Sequence, residues 1–281
     1  MGDSASAAWL GFRPLAAQFA VMELKVDIER AARIPARLRT AYLDALSEPQ
    51  ELYQENQVRS GDVYLVTTRG EAIGYAVFSN YVLVEFYLED WTMTRGAEIF
   101  NAALASGGAS AAICKTFDAG MLTLALCDSA ATRTTGELFR RYIDVDYTPD
   151  PAIAEAPATR ADVDDIAAAD DDGFWRDRAE IERYVDSAGL FLFREASGAL
   201  LGCGLTTRVI EGRDWVDVGM IVAPGHRRRG LGAYIIRCLK AKVVAQGLRP
   251  IAGCSVDNVA SRRALENAGF VRSHSIVTVD Y

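Results

Sequence analysis

The sequence predicts an α/β protein made of two tandem copies of one unit, each a mixed, mostly antiparallel sheet flanked by helices. Three observations predict it. The chain has 281 residues, about two domains' worth. The two halves present the same elements in the same order. A proline-rich break, Thr148-Pro149-Asp150-Pro151 through Ala156-Pro157, lies between them. Half of the residues are hydrophobic, enough to supply each half with a core.

In the first half, residues 63–66 form a β-rich run, Arg69-Gly70 a turn and residues 72–78 a second run. In the second half, residues 190–193, a turn at Ser197-Gly198 and residues 200–205 repeat this hairpin pattern. A third strand follows in each, Val82–Leu88 and Trp215–Val222, and then a helix, near residues 97–105 and over Leu231–Ala245. A fourth strand ends in Thr116-Phe117-Asp118-Ala119 in one half and Ser255-Val256-Asp257-Asn258 in the other. Both halves close on one tripeptide, Val145-Asp146-Tyr147 and Val279-Asp280-Tyr281. The common order indicates a duplication. The expected layout is a leader over residues 1–22, a first domain over 23–147, a linker over 148–157 and a second domain over 158–281. Residues 162–184 read as one or two helices opening the second domain.

Composition narrows the function. A net charge of −8 argues against a general nucleic-acid binder, which needs surplus cation. The sequence has no run of 18 apolar residues, so neither a membrane span nor a membrane partner is expected, and the cytoplasm is the default location. Five cysteines, none in a C-x-x-C pair, are expected to be buried small hydrophobes of a reducing compartment. Two distant histidines, His226 and His274, make a histidine-based metal site improbable, and no metal is expected.

One segment carries chemistry. A β run ends at Val222, Pro224 stops strand pairing, and Arg227-Arg228-Arg229-Gly230-Leu231-Gly232 leads into a helix whose apolar face holds Leu231, Tyr234, Ile235, Cys238 and Leu239. A helix start offers unpaired N–H groups and partial positive charge, and glycines let a ligand approach the backbone closely. With guanidinium groups beside it, this is an anion site suited to phosphate. The spacing fits neither GxxxxGK[ST] nor GxGxxG. An exposed arginine-rich turn is the plain alternative.

Arg227-x-x-Gly230-x-Gly232 matches the [RQ]-x-x-G-x-[GA] signature of the GNAT superfamily of acyl-CoA-dependent N-acetyltransferases. Asn258-Val259-Ala260-Ser261 with Gly269-Phe270 resembles that superfamily's second segment. Locally, Asp257 or Asn258 can cap this helix and Gly269 can end it. The resemblance covers about 125 residues of the second half. It implies two central strands that splay apart, with acetyl-CoA in the gap. Pantetheine would run along Met220, Ile221 and Val222. Pyrophosphate would sit on Arg227, Arg228, Arg229, Gly230, Leu231, Gly232 and Ala233, with Asn258 and Ser261 approaching from the next helix. Acetyl would pass directly to a small-molecule amine, with the chain a monomer or homodimer; a non-catalytic acyl-CoA sensor is the alternative.

The general acid and base are less legible. Leu265 stands where many relatives have an acidic tyrosine; Tyr281 is a remote substitute and Tyr234 reads as core. Asp217 is the only carboxylate of its strand and the candidate base, with a solvent-facing strand residue as the alternative. The stretch from Asp162 to Trp175, rich in carboxylates, would suit a cationic amine or simply form a solvated helix face. The first half lacks the G-x-G loop, carries Glu89 and Asp90 there, and has Ala119 in place of the asparagine. It reads as a degenerate copy whose Glu85 faces a shared cleft.

Overall fold

The computed structural model describes residues 25–281. The leader expected over residues 1–22 lies outside the described residues. The N-terminal half runs β1 (Asp27–Ala31), α1 (Ala36–Ala45), α2 (Leu52–Ser60), β2 (Asp62–Thr68), β3 (Glu71–Ser79), β4 (Val82–Leu88), α3 (Gly96–Gly107), β5 (Ala111–Lys115), α4 (Ala119–Leu126) and β6 (Ala131–Tyr142). The C-terminal half runs β7 (Ile153–Pro157), α5 (Val163–Ala168), α6 (Arg178–Asp186), β8 (Leu190–Glu195), β9 (Leu200–Arg208), β10 (Trp215–Val222), α7 (Leu231–Ala245), β11 (Arg249–Ser255), α8 (Val259–Asn267) and β12 (Phe270–Asp280). The β2–β3 hairpin turns on Arg69 (φ 52°) and Gly70 (φ 81°), a pair of left-handed residues that matches the twist of the strands.

The strands form one 12-stranded sheet in the order β1-β2-β3-β4-β5-β12-β6-β11-β10-β9-β8-β7. The order is a palindrome of the two halves except at its centre, where the closing strands are exchanged. β12, the last strand of the chain, pairs with β5; β6 pairs with β11; and β6 and β12 pair with each other. Each half therefore completes the other's sheet. Val279 belongs to the N-terminal core with Phe100 and Met121, while Phe139 of β6 belongs to the C-terminal core with Ile235 and Leu265. The limits expected at residues 147 and 158 do not divide the sheet.

Helices α3 and α4 cover one face of the N-terminal half, and α1 and α2 cover the other. In the C-terminal half α7 and α8 cover one face and α5 and α6 the other. Gly269 fixes the crossing at the exchange. Its φ is +90°, and a Cβ there would stand 2.6 Å from the Ile143 carbonyl oxygen. The Ile143 N–H donates to the Gly269 carbonyl at 2.8 Å.

Four expectations change. The linker 148–157 is not wholly irregular: Ile153–Pro157 is β7, an edge strand, where proline costs no ladder bond. The tripeptide match is coincidental, because β6 ends at Tyr142 and Val145-Asp146-Tyr147 lies in irregular chain beyond it, whereas β12 runs to Asp280. Asp118, rather than Ala119, stands at the cap position held by Asn258 in the second half, since each side chain caps the following helix. Cys127 is exposed, while Cys114, Cys203 and Cys238 are buried and Cys254 is half-buried.

Candidate active site

The site begins where two parallel strands separate. β10 and β11 pair only at Trp215–Arg249, Val216–Pro250 and Asp217–Ile251. Beyond Asp217 the β11-facing backbone edge of β10 makes no strand pair among the described residues. A cavity of about 830 Å³ opens there. Every residue expected to hold the cofactor lines it (Met220, Ile221, Val222, Arg227, Arg228, Gly230, Leu231, Gly232, Ala233, Asn258 and Ser261), with Arg229 the exception. Arg229 instead approaches His226 Nδ1 at 3.1 Å. Gly253 and Cys254, at the far end of β11, complete the wall, as do Phe174 and Arg263. Phe174 belongs to the stretch expected on the acceptor side, whereas Gly253 and Cys254 were not read from sequence, because strand separation is a tertiary event that leaves no local pattern.

The loop between β10 and α7 has the conformation its composition suggests. Arg228 (φ 62°) and Gly230 (φ 80°) are both left-handed, and Gly230 sits at the N-cap of α7 with no side chain capping the helix. The first N–H groups of α7 thus have no side-chain cap at the cavity wall. Gly232 has a second duty. A Cβ there would lie 3.2 Å from the Ala264 Cβ, so its absence lets α7 approach α8. Asn258 Oδ1 accepts from the Ser261 N–H at 2.9 Å, capping α8 at the cavity rim. Arg227 is held by an ion pair to Asp171, by Asp172 at 2.9 Å and by the Val222 carbonyl at 3.1 Å.

Those contacts account for part of the acidic stretch. Asp162 and Asp165 bind Arg194 at 3.0 and 2.8 Å, and Asp164 pairs with Arg178. Asp170 accepts from the Phe174 and Trp175 N–H groups at 2.9 and 2.8 Å. Trp175 is buried in the core beneath α5 and α6. Most of these carboxylates are engaged in ion pairs or backbone hydrogen bonds, while Asp170, Asp172 and Phe174 line the cavity.

Asp217 is the last paired residue before the strands part. Val216 and Val218 turn toward α7, so alternation turns Asp217 to the opposite face, where the N-terminal half meets it. Desolvation and the nearby Glu51 carboxylate raise the Asp217 carboxyl well above the ordinary carboxylate range, against the opposing pull of Arg140. Glu51 comes from the start of α2 and Arg140 from the exchanged β6, so this environment belongs to both halves. Leu265, in the place of the usual acid, is buried in the C-terminal core. Tyr281 packs against the N-terminal core, its hydroxyl on the Ala125 carbonyl at 3.1 Å, because β12 is exchanged; it is no part of this site. The Tyr234 hydroxyl accepts from the Tyr147 hydroxyl at 3.4 Å and from the Asp150 N–H at 3.0 Å.

Glu85 does not face the cleft. It is fully buried, ion-paired to Arg39, and accepts from the Tyr75 hydroxyl at 2.7 Å and Gln50 Nε2 at 2.9 Å. Matching Gly74–Leu88 with Gly202–Val222 sets Glu85 in the register of Gly219, two residues from that of Asp217. Next to it, the fully buried Lys115 donates to the Tyr42 hydroxyl at 2.6 Å and Gln50 Oε1 at 2.7 Å. This network fills the space between α1, α2 and the sheet. Between Tyr81 and Gly108 no described residue has a left-handed backbone, and a short 3-10 helix over Asp90–Arg95 replaces the phosphate-type loop.

A sheet of this order, with a splayed strand pair and a glycine-turned helix start at its mouth, defines an acyltransferase-type architecture, present in two copies. A family model described as "Acetyltransferase (GNAT) domain" matches residues 35–141, and one described as "Acetyltransferase (GNAT) family" matches residues 159–270. The chain belongs to the GNAT acetyltransferase family: it is an acyltransferase with two GNAT domains in tandem. Among solved structures it is similar to a GNAT-family acetyltransferase from Colwellia psychrerythraea (TM-score 0.79, 19% identity, covering 91% of this chain and 99% of that one). It is also similar to a GCN5-related N-acetyltransferase from Sphaerobacter thermophilus (TM-score 0.62, 16% identity, 90% and 95% covered). A third is a tandem GNAT protein from the clavulanic acid biosynthesis pathway (TM-score 0.58, 12% identity, 92% and 98% covered). At these identities the likeness is one of fold. No curated protein matches the chain. Among the described residues no helix is long and apolar enough to cross a membrane.

Proposed function

We propose that the C-terminal half binds acetyl-CoA in the 830 Å³ cavity and transfers acetyl to a small-molecule amine. The observation that carries this reading is the left-handed Arg228–Gly230 turn, which presents the uncapped start of α7 at the open end of the β10–β11 gap. That arrangement suits a pyrophosphate followed by an extended arm. Bound there, acetyl-CoA supplies an activated thioester carbonyl. The unpaired edge of β10 over residues 218–222 can hold the arm by backbone hydrogen bonds. Arg228 and Arg263 line the cavity, and their guanidinium groups suit its phosphates.

Asp217 lies where the arm would end, at the apex of the splay. Its raised pKa makes the ionised carboxylate a stronger base than an ordinary one, suited to take a proton from an incoming ammonium group. The neutral amine then attacks the carbonyl, the C–N bond forms, the C–S bond breaks and CoA leaves as its thiol. The balance is ammonium plus thioester to amide, thiol and one proton. Holding the two reactants together supplies much of the acceleration, so the loss of a tyrosine acid at Leu265 is tolerable. The N-terminal half contributes Glu51 and Arg140 to the acceptor side rather than a second centre. The domain limits we adopt, 23–147 and 158–281, describe the duplicated units, each closed by the other's last strand.

Release of CoA thiol from acetyl-CoA across a panel of amines tests the reading. Turnover with at least one amine, abolished in Gly230→Asp, is expected. Binding of CoA with no turnover across a broad panel would favour an acyl-CoA sensor instead.

A further inference from the structure

A second cavity, of about 350 Å³, lies in the seam between the halves. Its wall combines the α1–α2 connection, including Pro49 and Gln50, with Arg140 and Arg141 of the exchanged β6, and Trp215 and Arg249 at the paired ends of β10 and β11. Trp215 and Asp217 alternate onto the same face of the sheet, so the cavity adjoins the apex at which the strands part. Its volume is at the small end of the range for small-molecule sites.

The charges in this cavity do not cancel. Arg213 is matched by Asp44 at 2.5 Å and Arg141 by Glu48 at 3.7 Å. Arg249 and Arg140 have no carboxylate at ion-pair distance among the described residues. The Arg249 guanidinium lies 4.1 Å above the Trp215 ring, which holds it as a flat, pre-oriented cation. Arg140 is only 3% exposed. Its Nε donates to the Pro49 carbonyl at 3.2 Å and its Nη1 to the Ala252 carbonyl at 2.9 Å, but Nη2 meets no partner among the described residues. The guanidinium also lies 5.6 Å from the Phe117 ring centroid, and its unpartnered Nη2 N–H groups leave it able to donate to one more acceptor. The Ala252 carbonyl that holds Arg140 follows directly on Ile251, the partner of Asp217. Unpaired cations therefore stand on the seam side of the apex, and the Asp217 and Glu51 carboxylates stand next to it.

We propose that this cavity is the acceptor subsite, and that it selects a small primary amine which also carries a carboxylate, an amino-acid-like zwitterion. This rests on the transferase reading above. The substrate carboxylate bridges Arg140 Nη2 and the Arg249 guanidinium, and its amine points to Asp217 and the thioester carbonyl. A polycation without an anionic group would meet the two unmatched guanidinium groups of Arg140 and Arg249 and is disfavoured. The acceptor site thus requires the strand exchange, since Arg140 reaches the second half only on β6.

Matched pairs of amines decide the matter, each pair a free amino acid and its amide, assayed with the full-length protein. CoA binding is first measured by titration calorimetry; absence of binding would overturn the transferase reading itself, and this proposal with it. CoA-thiol release should then favour the free acid of at least one pair by tenfold or more in kcat/KM, as expected for a charge-assisted contact. Arg249→Gln, at an exposed position, should reduce that preference about tenfold, chiefly through KM, with CoA affinity unchanged. Arg140→Lys should do the same by losing the second donor. With CoA bound, equal use of acids and amides, no turnover of any pair member, or an unchanged preference in Arg249→Gln would each overturn the proposal.

Discussion

Replacing Gly230 separates the two properties this position supplies. Its φ of +80° lies in the left-handed region, and a Cβ there would meet nothing within 4 Å. Gly230→Ala therefore introduces backbone strain without a clash, of about 1–2 kcal/mol. If the loop keeps its shape, that cost falls on folding; if it relaxes, it falls on CoA affinity as a loss of about tenfold. Gly230→Asp adds a carboxylate at the wall built for phosphate. At about 5 Å and an effective dielectric of about 20, one like-charge pair costs about 3 kcal/mol. Strain and repulsion together come to about 4–5 kcal/mol, or more than a thousandfold in Kd. Titration calorimetry with CoA, and thermal unfolding without it, measure the two parts separately. Retention by Gly230→Asp of CoA affinity within tenfold of the parent would refute the placement of the phosphates on this loop.

Asp217→Asn should lower kcat by about a hundredfold or more while CoA affinity is unchanged, because it removes a proton acceptor and leaves the loop intact. The parent rate should fall on acidification, and the variant should lose that limb. Stability should move the opposite way. The folded carboxyl has a raised pKa, so its neutral form favours folding, and that contribution fades as pH rises through the folded-state pKa; Asp217→Asn should consequently melt higher than the parent at pH 8. Gly269→Ala should destabilise by about 2–5 kcal/mol, combining left-handed strain with overpacking against the Ile143 carbonyl, as chemical denaturation would show. Residues 1–147 and 148–281 expressed separately should each fail to give a cooperative unfolding transition, because each lacks its closing strand. Co-expression should restore a complex on size exclusion, and two stable isolated halves would refute the exchange.

Much of the local structure was legible. The bounds of α7 and β10 follow from hydrophobic period, the Pro224 stop and the glycines, all of them features within one turn or strand of each other. The Asn258 cap and the Gly269 terminus were legible for the same reason. Two errors came from treating local likeness as structural equivalence. The Val145-Asp146-Tyr147 match failed because short tripeptides recur by chance and register depends on the partner strand. The placement of Glu85 in the cleft failed because its burial depends on Arg39, Tyr75 and Gln50, which arrive from elements far away in sequence.

The sequence by itself determined that the chain has two copies of one unit, that one copy keeps a helix start able to hold phosphate, and that the other has lost it. These are short-range properties, fixed by backbone freedom at Gly230, capping at Asn258 and charge in the Arg227–Arg229 run. Only the tertiary structure decided which strand closes which sheet. β6 and β12 are the closing strands of the two copies, and which edge each takes rests on packing of the whole seam, Gly269 against Ile143 included. That choice places Tyr281 in the N-terminal core and brings Arg140 and Glu51 to Asp217, so the surroundings of Asp217 are the joint product of both halves.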